Sequence, residues 1–133
     1  MRQFDTQGIP VRIISVSFDP ARDTPEQLAA WLDTHGADSA FWTAGTGKPE
    51  SLKSTIGGGF ETWYEQQPDG SFKFDPTWVL VDGAGFLRAR YTAAALTPSV
   101  FARDLGLVVE EAVNSTGINK LVYEAAHQFL CYP

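Results

Sequence analysis

The stretch Val11 to Gln27, VRIISVSFDPARDTPEQ, limits what this chain can fold into more than any other. Val11, Ile13, Ile14, Val16 and Phe18 are β-branched or aromatic, and Arg12, Ser15 and Ser17 alternate with them only weakly. Such a run reads as a strand covered on both faces, the kind found inside parallel sheets. Asp19-Pro20 ends it, because proline gives the ladder no N–H. Thr24-Pro25-Glu26-Gln27 then opens a helix: Thr24 caps it, Pro25 suits its first position, and Gln27 completes a capping box. Strand, polar loop and capped helix form the front half of a βαβ unit.

The remainder alternates in the same way. Gly8-Ile9-Pro10 closes whatever precedes the strand. The first helix runs from about Pro25 to His35, with Leu28, Trp31 and Leu32 on its core face and Gly36 as its left-handed terminator. Ala40–Thr43 reads as a short strand, Pro49–Ile56 as a short helix ended by Gly57-Gly58-Gly59. Phe60–Glu65 and Ser71–Phe74 make a hairpin around Pro68-Asp69-Gly70. Pro76–Val81 is a second buried strand, returning after Asp82–Gly85 as Phe86–Tyr91. Thr97-Pro98 opens a long helix to about Asn114, with Phe101, Leu105, Val108, Val109 and Ala112 on one face and Gly106 weakening its middle. Gly117 separates a last helical stretch, Asn119 to about Leu130. The order, β-α-β-α-β-β-β-β-α-α, belongs to an α/β protein.

A chain of 133 residues suits one domain, and four Trp with nine Phe supply a real core. The formal charge of −6 argues against nucleic acid or an anionic membrane as partner, since both require a basic face. The single cysteine, Cys131, excludes a disulfide or CxxC motif within these residues. No segment approaches the ~20 apolar residues that span a bilayer. MRQFDTQGIP has no apolar signal region, so the chain as given reads as soluble and without an export address.

SFDPARDTPEQL resembles the "vsvDPeRDTPe.L" segment of the Sco/SenC family, thioredoxin-fold copper and redox proteins that serve cytochrome oxidase assembly. The match runs through Asp19, Pro20, Arg22, Asp23, Thr24, Pro25 and Leu28. PTWVLVD, from Pro76 to Asp82, is similar to the "P-T-x-x-x-x-D-x-x-G" of TlpA-type proteins, where the proline is cis; a cis Pro76 is therefore implied. KLVYEAAHQFLCYP resembles a C-terminal stretch of longer bacterial relatives, which continues as "lCyxYDP". The resemblance covers roughly Gly8 to Gly106. It implies a thioredoxin-like fold, a mixed sheet flanked by helices, in a single domain over residues 1–133. Residues 117–133 are then a C-terminal helical extension that stops early. It also implies copper delivery or thiol–disulfide exchange in the cell envelope or periplasm.

The family's chemistry rests on a CxxxC turn upstream of the DPxRDTP segment and on a histidine just before the strand ending in Leu-Val-Asp. No cysteine precedes Val11 here, so the first βα unit is expected to be missing, with residues 1–10 the tail of its helix. Counting back from Asp82, the histidine slot falls at Phe74, and neither Lys73 nor Asp75 is a histidine. Thiolates and imidazole make such a site hold copper, and phenylalanine has no lone pair to offer. No cofactor is expected for this chain, although copper is the family's metal.

Other constellations have plainer readings. His127 and Cys131, at i and i+4 on the last helix, offer a metal pair, but more simply a surface histidine and a spare thiol. His35 sits at a helix C-terminus, which favours a cation. Gly57-Gly58-Gly59 follows a helix instead of opening one, so it is no phosphate cradle. Asp19, Arg22 and Asp23 order their loop, with Arg22 bridging the two acids. Ser15, Ser17 and His35 have no triad spacing. Trp31, Phe41, Trp42, Trp63 and Trp78 suffice for a binding groove but more simply fill a core. The expected structural set is Asp19, Arg22, Asp23, Thr24, Pro25, Pro76 and Asp82, with no catalytic residue.

Three functions follow. In the first, this is a Sco/SenC relative whose metal site is degenerate or lost. The second is a TlpA- or peroxiredoxin-like thiol oxidoreductase, which one cysteine can serve only between chains. The third is a scaffold of thioredoxin type that binds a protein partner. With no catalytic set, a binding protein is a better reading than an enzyme. Losing a strand between those at Val11 and Thr77 leaves two edges, which either pair directly or recruit a second chain, so a dimer or a strained sheet is expected.

Overall fold

The computed structural model describes residues 8–114. Its backbone contacts group into two compact units: Val11–Asp75, and Pro76–Asn114 with residues 8–10.

In the first unit, β1 (Ile13–Val16) lies parallel to β2 (Trp42–Gly45), with Ile13 beside Trp42 and Val16 beside Gly45. Helix α1 (Pro25–Thr34) connects them, as the capped helix start required. Thr24 caps it by accepting the Gln27 N–H at 3.4 Å. The reciprocal half of the capping box is absent: the Thr24 N–H donates to the Arg22 carbonyl instead. The helix ends as its glycine foretold. Gly36 takes φ +62°, its N–H bonds Asp33, and the Ala37 N–H reaches back to Leu32, a Schellman closure.

Two expectations for β1 are corrected. It is shorter than Val11–Phe18, and it is covered on one face only. Ile13 and Ser15 are half-buried, whereas Ile14 is 68% and Val16 40% exposed. The continuous apolar run reads as two-sided burial, yet strand side chains alternate between faces, and here one face stays bare.

Next come α2 (Pro49–Leu52) and a π-helical segment, Lys53–Gly59, which carries the three glycines expected to end the helix. Widening the turn keeps Leu52 and Ile56 inward, against Tyr64, and these three form the unit's buried cluster. Each contributes about 1.5–3 kcal/mol through burial. β3 (Tyr64–Gln66) and β4 (Phe72–Phe74) make the expected antiparallel hairpin, with Tyr64 beside Phe74. Its turn uses Gly70 at φ +80°. The expected strand over Phe60–Glu65 thus begins four residues late. The Thr62 N–H is taken by the Ile56 carbonyl, a helix-end bond that keeps it out of the ladder.

In the second unit, β5 (Thr77–Val81) pairs antiparallel with β6 (Leu87–Thr92), with an irregularity between Leu80 and Val81. Helix α3 (Pro98–Asn114) supplies the core through Leu105 and Val109, 3% and 1% exposed. Of the face expected for this helix, Phe101 and Val108 are half-buried and Ala112 is exposed. Asp104 belongs to the buried set instead.

Among the described residues the strands form three two-stranded ladders, β1 with β2, β3 with β4 and β5 with β6. The peptide bond before Pro76 is trans, since none among the described residues is cis. An X–Pro bond favours trans by about 0.5–1 kcal/mol, and a proline at a strand start gives up no ladder bond. No helix among the described residues is long and apolar enough to cross a membrane.

Candidate functional site

The loop after β1 is built by its own polar side chains. The Asp19 carbonyl accepts the N–H groups of Arg22 and Asp23, at 3.2 and 2.8 Å. The Asp19 N–H donates to Ser17 Oγ at 3.0 Å, and the Ser17 hydroxyl donates in turn to Asp23 Oδ2. Arg22 Nε donates to Asp19 Oδ2. Its Nη2 donates to the Gly70 carbonyl at 2.7 Å, tying the loop to the β3–β4 turn, and its guanidinium lies 5.8 Å from the Phe72 ring centre. Arg22 therefore holds Asp19 as expected. Asp23, however, is held by Ser17, a residue whose role nothing in the sequence singles out.

Phe18 turns inward where β1 ends. Its ring stacks on Tyr64 at 4.8 Å and meets Phe72 and Phe74 at 5.1 Å each. Lys53 lies over the other aromatic neighbour, its Nζ 4.4 Å from the Tyr64 ring and 2.9 Å from the Tyr64 carbonyl. The loop, α1 and β4 together line a cleft of about 580 Å³. Its walls are apolar at Phe18, Leu28, Trp31 and Phe74; Ser17, Arg22, Asp23 and Gln27 supply the polar groups.

The geometry brings Asp19, Arg22, Asp23 and Thr24 together, with Pro25 beginning α1, and it sets Phe74 in the same cleft. Thus the side chain at the expected histidine slot faces the loop that the sequence marks most strongly. The donors lining this cleft are hydroxyl, carboxylate and amide groups; Asp23 already holds Ser17. Such hard oxygen donors do not fit a copper ion that prefers thiolate and imidazole. Among the described residues, no three His, Cys, Asp or Glu side chains converge as metal ligands. His127 and Cys131 lie outside the described residues.

Pro76 and Asp82 belong to the second unit. Asp82 organises the β5–β6 turn: its Oδ1 accepts the N–H groups of Ala84 and Phe86, both at 2.9 Å, and its Oδ2 accepts Arg88 Nε at 2.7 Å. Burial pushes the Asp82 carboxyl up, but the Phe86 N–H, the Arg88 guanidinium and the Ala84 N–H outweigh it, leaving the acid below its ordinary value. Arg88 also donates to Glu111 Oε1 at 2.8 Å. Burial lowers the Arg88 guanidinium, while Asp82 and Glu111 raise it, with a net upward shift. The Arg88–Glu111 bridge escapes sequence reasoning, because its partners lie on different elements, twenty-three residues apart.

The SCO1/SenC family model matches residues 1–110 of the chain. Among solved structures, a SCO1/SenC family lipoprotein from Bacillus anthracis str. Ames is similar at 23% identity and a TM-score of 0.70. The match covers 80% of this chain and 65% of that one, so the chain spans less than two thirds of that relative. No curated protein matches it. The structural likeness shows a thioredoxin-like α/β fold. With the family model spanning most of the 133 residues, the chain belongs to the SCO1/SenC family.

Proposed function

We propose that this chain shares the family's role, copper delivery or thiol–disulfide exchange in cytochrome oxidase assembly, but contributes protein-binding surface to it and not metal ligands. The observation carrying this reading is Phe74, which stands in the cleft opposite the DPARDTP loop and packs its ring on Phe18. An imidazole at that place would face the same loop; a phenyl ring offers only apolar contact. The lone cysteine, Cys131, supplies no dithiol. A thiol oxidoreductase built on this chain alone would have to close its disulfide between two molecules. The cell envelope is the proposed location, supported by the lipoprotein description of the structural relative. Self-association into a dimer is part of the same proposal.

Anaerobic Cu(I) titration of the purified chain, with and without Cys131→Ser, is the test. The expected result is no tight one-to-one binding in either form. Tight stoichiometric Cu(I) that survives the substitution overturns the reading.

A further inference from the structure

Two Asp–Gly links occur in the chain, Asp69–Gly70 and Asp82–Gly83. A glycine after aspartate leaves its amide nitrogen unshielded, since no Cβ stands beside it. That nitrogen can attack the aspartate's own carboxyl carbon. The two links are held differently. The Asp82 side chain is 10% exposed, and both its oxygens are occupied, Oδ1 by the Ala84 and Phe86 N–H groups and Oδ2 by Arg88. Asp69 is exposed in the β3–β4 turn. Among the described residues only its Oδ1 is held, accepting the Ser71 N–H at 2.9 Å and the Ser71 hydroxyl at 2.6 Å. Gly70 is held at both its backbone groups. Its N–H donates to the Gln67 carbonyl at 2.9 Å, and its carbonyl accepts Arg22 Nη2 at 2.7 Å.

We propose that Asp69–Gly70 is a site of covalent modification, where the aspartate isomerises to isoaspartate, and that Ser71 and Arg22 restrain the reaction. The Gly70 nitrogen gives up its proton and bonds to the Asp69 carboxyl carbon, whose hydroxyl leaves as water. The product is a cyclic succinimide. Water then adds to the former backbone carbonyl carbon of Asp69 and breaks its bond to the Gly70 nitrogen. One water is lost and one regained, so no oxidant, reductant or other reactant is needed. The main chain now runs through the side-chain carbon, one methylene longer, and the old backbone carbonyl has become a free carboxylate. Two contacts must open first: the carboxyl has to leave Ser71, and the Gly70 N–H has to leave Gln67. The Ser71 hydroxyl, and then its N–H, hold the Asp69 carboxyl below its ordinary value, and an ionised carboxylate is the poorer target for attack. Arg22 clamps the Gly70 carbonyl and so keeps the turn closed; exposed turns open by local fluctuation, which such contacts oppose. The longer backbone carries the Gly70 carbonyl away from Arg22, so the modification unties the DPARDTP loop from the hairpin.

Asp69, Ser71 and Arg22 lie in the first unit and Asp82 in the second, so each link reports its own surroundings. The experiment incubates the unmodified chain, Arg22→Ala, Ser71→Ala and Asp69→Glu near neutral pH for weeks. Peptide mass spectrometry with electron-transfer fragmentation locates isoaspartate, and methyl transfer by a purified isoaspartyl methyltransferase counts it. In the unmodified chain, isoaspartate is expected at Asp69 with little at Asp82. Accumulation at Asp69 should be several-fold faster in Arg22→Ala and in Ser71→Ala, with Asp82 unchanged. Asp69→Glu should show none in the turn, because the longer side chain closes its ring far more slowly. In urea the two links should react at similar rates, since only the folded contacts separate them. Isoaspartate at Asp82 as fast as at Asp69 in the folded chain overturns the choice of site. An unchanged rate at Asp69 in either alanine variant, or an equal rise at Asp82, overturns the restraint assigned to that residue. No isoaspartate at Asp69 in the folded chain or in either alanine variant overturns the proposal as a whole.

Discussion

The Tyr91 hydroxyl donates to Asp104 Oδ2 at 2.6 Å, joining β6 to α3 inside the core of the second unit. Both residues are buried, and Asp104 also accepts Arg103 Nε at 2.7 Å. Tyr91→Phe keeps the ring and removes the donor, leaving a buried carboxylate oxygen short of one partner. The expected loss is about 1–3 kcal/mol of unfolding free energy. Urea denaturation of the two proteins measures it. A midpoint unchanged by the substitution would show that the bond adds nothing.

Two carboxylates of this unit, Asp82 and Asp104, are held below their ordinary values. The Arg103 bond lowers the Asp104 carboxyl, burial opposes it, and the Tyr91 hydroxyl adds to the lowering, with a net downward shift. Asp82 is also net lowered. A depressed carboxylate contributes stability that is present above the unfolded value, about 3.9 for aspartate, and is lost as pH falls through the folded value. Stability should therefore be flat near neutrality and fall below about pH 4. Asp82→Asn and Asp104→Asn should each be less stable at neutral pH and show a shallower acid slope. Denaturation midpoints collected from neutral pH downward check this; equal slopes in all three proteins would refute the assignment.

Local chemistry made much of this structure legible. Thr24 and Pro25 start α1, Gly36 stops it, and Pro68-Asp69-Gly70 turns the hairpin, because caps and turns are decided by one or two residues and their backbone preferences. The loop of Asp19, Arg22 and Asp23 was legible for the same reason, as was the family. Long-range facts were not. The sequence of β1 does not tell whether a second layer covers Ile14 and Val16, since burial belongs to the partner surface and not to the strand. Nor does it tell that Asp104 and Glu111 face inward on α3: helical periodicity assigns them to the apolar side only once Tyr91 and Arg88 are known to wait there. Pro76 shows the opposite failure, in which a family habit implied cis and the backbone is trans.

Arg22 joins two loops with two different nitrogens, Nε to Asp19 and Nη2 to Gly70. Its side chain is 62% exposed, so Arg22→Ala should cost only about 0.5–1 kcal/mol globally. The local effect should be larger. The Gly70 N–H, bonded to Gln67 in the turn, should exchange with solvent several-fold faster once the Gly70 carbonyl loses its partner. Arg22→Lys should not restore protection, because a single ammonium cannot span both acceptors as the guanidinium fork does. Amide exchange followed by NMR reads all three proteins; equal protection at Gly70 in each would mean the tie has no effect on the turn.

Phe74→His puts an imidazole where the family pattern places one and removes a ring that meets Phe18 at 5.1 Å. Losing that aromatic contact should cost about 0.5–1.5 kcal/mol, a modest figure because Phe74 is 48% exposed. The gain in metal binding should be small. One imidazole in a cleft otherwise lined by hydroxyl, carboxylate and amide groups gives Cu(I) a single suitable ligand, and thiolates are what hold it tightly. Competition against a chromogenic Cu(I) chelator should therefore show less than about a tenfold gain for Phe74→His over the unmodified chain, both carrying Cys131→Ser. A gain of several orders of magnitude would mean that the cleft already holds the remaining ligands and that Phe74 alone keeps copper out.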